Sequence, residues 1–194
     1  GDPKTSVQEK GPLVLFLGDS ITAGLGVSEE EAYPAVIQGQ LREAGLDLRV
    51  VNAGVSGDTT GGGLSRCDWL LKQGPKIVVL QLGANDAFRG QPVENVDSNL
   101  RSIIEKCRAA KARVLLLGMR IPPSYGKEYA ESFDAVYPKL AVDSKVAFVP
   151  FFMKGVAGVH DFNQDDGIHP NVKGHVLLAK TVAPALKRLL EATP

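Results

Sequence analysis

Residues 13–22, LVLFLGDSIT, run five apolar side chains straight into Gly18-Asp19-Ser20. An apolar run this short has the length of a strand buried on both faces, and the glycine and acid that end it mark a turn able to expose a hydroxyl. The same pattern recurs at residues 48–52, 77–82, 113–118 and 146–149. Between these runs, segments around 33–44, 63–72, 93–110, 128–142 and 172–191 carry apolar residues three and four apart, as in Leu100, Ile103, Ile104 and Cys107, which is the spacing of helices with one buried face. Gly45 and Gly74-Pro75 stand where helices stop. Strands alternating with helices, joined by right-handed crossovers, predict an α/β fold: a five-stranded parallel sheet with helices on both faces and its site beyond the carboxyl ends of the strands.

The chain has 194 residues, enough for one domain with a substantial core, and 22 basic residues balance 22 acidic ones. Zero net charge without a basic run argues against a nucleic-acid surface or a polybasic membrane anchor, so the expected partner is a small or amphiphilic molecule. No apolar stretch approaches the roughly 20 residues of a membrane-spanning helix. Residues 1–11 read as a polar arm and 12–194 as a single domain with no repeat. Gly1 in place of Met predicts a removed leader, hence the periplasm or secretion, or else a cloning remnant, with the cytoplasm as the alternative location. Cys67 and Cys107 are too few for a disulfide framework and read as unpaired core thiols on different helices, with a mutual bridge as the alternative.

The strand ends carry the chemistry. The first supplies Ser20, the second Gly54, the third Asn85, and the loop before the last helix supplies Asp165, Asp166 and His169. A serine hydroxyl needs an imidazole to take its proton, and the imidazole needs a carboxylate to fix its tautomer. His169 and Asp166, three residues apart, fit on one turn; Asp165 competes as the acid, but the DxxH spacing favours Asp166. The backbone N–H groups of Ser20 and Gly54 and the amide of Asn85 are the candidate oxyanion donors, Gly54 because the missing Cβ lets substrate approach the main chain. Taken singly, each motif is a common turn or cap; all of them arriving in order at strand ends is the signal.

The blocks GDSITAG, NAGVSGDT, GAND and DGIHP resemble the SGNH, or GDSL-type, hydrolase family, with Ser20, Gly54, Asn85 and His169 on its four signature positions. LGANDAFRGQP, YPKLA, VPFFM and QDDGIHPN resemble its bacterial thioesterase I, lysophospholipase and arylesterase branch. The resemblance implies a flavodoxin-like sheet of order 2-1-3-4-5, Asp166 as the triad acid, no metal or organic cofactor, and hydrolysis of carboxylic esters or thioesters.

Competing readings are a sugar O-acetylesterase on the same fold, a binding module that has lost turnover, and a metal site using Asp19, Asp86, Asp166 and His169. The metal reading leaves Ser20, Gly54 and Asn85 without a role. Gly54-Val55-Ser56-Gly57 is one residue short of the G-x-S-x-G elbow, and Gly61-Gly62-Gly63 lacks the Lys of a phosphate loop. Asp19 and Asp86 are expected to anchor their loops, His160 and His175 to be bystanders, and Trp69 to serve packing. The apolar stretches 87–92, 119–125 and 151–162 are candidates for the wall of an acyl groove.

Overall fold

The five apolar runs become the strands β1 (Leu13–Gly18), β2 (Arg49–Gly54), β3 (Ile77–Gln81), β4 (Arg113–Leu117) and β5 (Ala147–Val149) of a computed structural model that describes residues 10–192. All four pairings are parallel and the order is β2-β1-β3-β4-β5. β1 and β3 are buried along their whole length, which is why their sequences read as unbroken apolar runs. β2 lies at an edge with only Ala53 fully buried, and accordingly carries Arg49 and Asn52. Most of the predicted arm lies outside the described residues.

Seven α-helices are described: α1 (Ser20–Ala23), α2 (Tyr33–Glu43), α3 (Thr60–Leu71), α4 (Ala84–Phe88), α5 (Val93–Ala109), α6 (Lys127–Ser144) and α7 (Val172–Glu191). α2 packs on α7, while α3 packs on α5 and α5 on α6, giving a helical layer on each side of the sheet. None of the described helices is long and apolar enough to cross a membrane. α6 continues through Pro138. A mid-helix proline costs about 3 kcal/mol, but the same helix buries Phe133, Val136, Tyr137 and Leu140, each contributing roughly 1.5–3 kcal/mol, so burial wins.

Cys67 on α3 and Cys107 on α5 are buried and free, and their hydrogen bond together with burial pushes the Cys107 thiol up. Trp69 corrects the sequence reading. It is 69% exposed, because the stripe of α3 that faces inward is Gly63, Cys67 and Leu70, and a residue two places from Cys67 points away from it.

Register places the site. Gly18 lies opposite Gly54 on one side and Gln81 on the other, so β1, β2 and β3 end at one level and their loops emerge together.

Candidate active site

Asp19 turns the chain from β1 into α1. Its backbone is extended and its carboxylate accepts the Ile21 N–H at 3.0 Å, so Ser20 becomes the first residue of the helix. No described hydrogen bond uses the Ser20 N–H. Asp19 is 2% exposed, and burial raises its carboxyl to about 6.

The loop ahead of α7 is built around Asp166. One carboxylate oxygen accepts the N–H groups of Ile168 and His169 at 2.9 and 3.0 Å, and the other accepts His169 Nδ1–H at 2.6 Å. The backbone closes the loop through Gln164 N–H to His169 O at 2.8 Å, and Asn171 caps α7 by accepting the Gly174 N–H. The hydrogen bond from His169, aided by the two backbone donors, holds the Asp166 carboxyl down at about 2. An ionised Asp166 places the imidazole proton on Nδ1 and leaves Nε2 bare, 3.0 Å from Ser20 Oγ. Ser20, His169 and Asp166 therefore form one hydrogen-bonded relay, while Asp165 is exposed and takes no part in it.

Asn85 sits on α4 and donates one amide hydrogen to the Asp58 carbonyl at 2.9 Å, leaving the second uncommitted among the described contacts. Gly54 is where expectation and structure part. A Cβ at Gly54 would fall 2.2 Å from the Ala23 nitrogen, so glycine is required there for α1 to lie on β2, whatever its value to a substrate. The Gly54 N–H donates to Asn52 Oδ1 at 2.9 Å, and Asn52 Nδ2 donates in turn to Thr22 O at 2.7 Å.

The neighbouring acids are committed elsewhere. Both Asp86 oxygens accept from Thr60, its N–H at 2.8 Å and its hydroxyl at 2.7 Å, joining α4 to the start of α3. Among the described residues no group of three or more His, Cys, Asp or Glu is placed to hold a metal ion.

A buried chain of polar groups behind Ser20 escaped the sequence reading: Tyr33 O–H donates to Thr22 Oγ1, and Thr22 donates to Gln81 Oε1, which also accepts the Asp19 N–H. A glutamine ending the run IVVLQ was its one local signal. Of the predicted groove segments, Met119, Ile121, Phe152, Met153 and Val156 are core, whereas Phe88 and Tyr125 are exposed with rings 5.3 Å apart. Leu25, Val55 and Ile168, on the loops that carry the site, are also exposed. Beside α4 opens a polar cleft of about 400 Å³ lined by Thr59, Asp86, Arg89, Gln91, Asn95 and Asn99.

A family model described as the GDSL-like Lipase/Acylhydrolase family matches residues 16–177. Esterase TesA of Pseudomonas aeruginosa is 45% identical over 184 residues, 94% of this chain and 92% of that protein. Thioesterase 1/protease 1/lysophospholipase L1 of Escherichia coli K12 is 41% identical over 178 residues, 91% of this chain and 84% of that protein. Among solved structures, the psychrotrophic esterase EstA from Pseudoalteromonas sp., inhibited by monoethylphosphonate, superposes with a TM-score of 0.88 at 35% identity, covering 93% of this chain and 100% of that one.

Proposed function

Because the chain belongs to the GDSL-like lipase/acylhydrolase family, whose SGNH esterases and thioesterases it joins as an enzyme, we propose that it hydrolyses small carboxylic esters and thioesters through an acyl-enzyme on Ser20. The observation that carries the reading is the relay from Ser20 Oγ through His169 to Asp166, with 3.0 and 2.6 Å between partners.

Ser20 Oγ attacks the acyl carbon while its proton passes to His169 Nε2, and the Asp166 carboxylate stabilises the imidazolium. The oxyanion that forms takes the Ser20 N–H and the second N–H of Asn85. Gly54 adds a third donor when its N–H is shared with, or released by, Asn52. His169 then hands its proton to the departing alcohol or thiol, leaving the acyl group on Ser20. Water enters, His169 takes one of its protons, and the carboxylic acid leaves as Ser20 recovers its own. Leu25, Val55, Phe88 and Ile168, each close in sequence to Ser20, Gly54, Asn85 or His169, are exposed apolar side chains, which supports broad acyl specificity.

The test is hydrolysis of a p-nitrophenyl ester series from acetate to palmitate, with acyl-CoA thioesters alongside, by wild type and Ser20→Ala. A loss of at least about a thousandfold in Ser20→Ala, with wild type accepting several chain lengths, is expected. An unchanged rate in Ser20→Ala refutes the nucleophile, and wild-type activity restricted to acetyl esters turns the reading towards deacetylation.

A further inference from the structure

A single guanidinium binds the peptide that carries the Gly54 N–H, the end of β1 just before Ser20, and the residue whose carbonyl accepts from Asn85. Arg66, on α3, donates from Nη1 to the Ala53 carbonyl at 2.7 Å, from Nη2 to the Gly18 carbonyl at 3.1 Å and from Nε to Asp58 Oδ2 at 2.9 Å. The Ala53 carbonyl and the Gly54 N–H belong to one peptide plane, so holding the oxygen sets the direction of that N–H. The Gly18 carbonyl belongs to the peptide immediately before the Asp19–Ser20 link and also accepts the Val55 N–H, tying the ends of β1 and β2 together. Asp58 is the residue whose main-chain carbonyl accepts from Asn85. Arg66 and Asp58 are both largely shielded, their side chains 23% and 11% exposed, so water competes weakly with these bonds.

We propose that Arg66 is a positioning residue for the oxyanion site: its planar fork fixes the Gly54 peptide, the strand end before Ser20 and, through Asp58, the amide of Asn85, relative to one another. The proposal rests on the acyl-enzyme reading above. Only arginine supplies donors in three fixed in-plane directions; a lysine keeps the charge, but its compact ammonium cannot hold this fork. Donors aimed where charge develops act chiefly in the transition state, and losing one outright costs roughly a hundredfold to a thousandfold in kcat. Loosening the set through Arg66 is accordingly expected to lower kcat by roughly ten- to a hundredfold while changing KM little.

The experiment compares wild type, Arg66→Lys, Asp58→Asn and Ser20→Ala on a p-nitrophenyl ester and on its thiono analogue, in which the carbonyl oxygen is sulfur. Rates are expressed per active site titrated from the burst of p-nitrophenol, so misfolded molecules do not count. Sulfur is a weak acceptor, so the preference for the oxygen ester reports how well the donors are aimed. In Arg66→Lys, kcat per titrated site falls by the stated factor, KM stays within about threefold and the preference for the oxygen ester shrinks. Asp58→Asn, which keeps the main-chain carbonyl but weakens the grip of the fork, moves both quantities the same way by less, and it carries the test if Arg66→Lys does not fold. Equal loss on both esters, or full kcat per titrated site, overturns the proposal while Ser20→Ala is inactive. A Ser20→Ala that keeps its rate overturns the acyl-enzyme reading, and the proposal with it.

Discussion

Asp19 is a carboxylate held out of water beside Ser20, and its ionisation works against folding. Burial raises it from an ordinary 3.8 to about 6 despite the hydrogen bond from Ile21. Between those values the unfolded chain has released the proton and the folded chain has kept it, so stability falls as pH rises from about 4 to about 6. Two units correspond to about 3 kcal/mol. Asp19→Asn keeps an acceptor for Ile21 and removes the charge, so its Tm should match wild type near pH 4 and exceed it at pH 8; equal Tm values at both would refute this. Asp166 has the opposite shift. It stays ionised down to about 2, so it keeps the charge that faces His169 through mildly acid conditions. Ser20 is legible because it stands in a short local pattern at the end of β1, and Asp166 with His169 because their pattern falls within one loop ahead of α7. Arg66 is not, because its bonds reach Gly18 and Ala53, residues with no periodicity or spacing in common with it.

The join between α7 and α2 gives His175 a part that sequence could not assign. α2 begins after Ala32, which offers no side-chain cap, and the N–H of Tyr33 donates instead to His175 Nδ1 at 3.0 Å, with the two rings stacked. His175 is thus a cap delivered from 142 residues away, and a histidine in a helical pattern reads only as a bystander. Burial lowers it to about 4, so below about 6.5 the unfolded chain binds a proton that the folded one refuses, and stability falls as pH drops towards 4. His175→Leu should cost about 1–2 kcal/mol at pH 7, where a buried N–H loses its acceptor. It also escapes an acid penalty of about 3 kcal/mol, so the two stability curves should cross between pH 7 and 4. Parallel curves would show that His175 is not the acid-sensitive contact. Strands were legible because burial on both faces demands continuous apolar runs, and the long helices because one buried stripe imposes its period. α1 and α4, at four and five residues, are too short to show a period, and it is these two that carry Ser20 and Asn85.

The buried apolar residues of all five strands and of α2 to α7 form one contiguous cluster, with the site on short helices and loops at the carboxyl ends of the strands. Sequence led to this architecture because parallel strands with crossover helices leave few arrangements open. It could not supply the aim of the polar groups, which arises only once those strand ends meet. A single core with its site anchored to three adjacent strand ends has no obvious unit that opens alone, so unfolding should be cooperative. In urea, loss of far-UV circular dichroism and loss of esterase activity should therefore coincide. The emission of Trp69 should behave differently, since the chain's one tryptophan is 69% exposed in the folded state and its surroundings change little when the core opens. Its emission maximum should lie near that of a solvated indole in native protein and shift only slightly through the transition. Activity lost at lower urea than secondary structure would show that the strand-end loops loosen first, and a large red shift would show that Trp69 is covered in solution, by a second copy of the chain or by another segment.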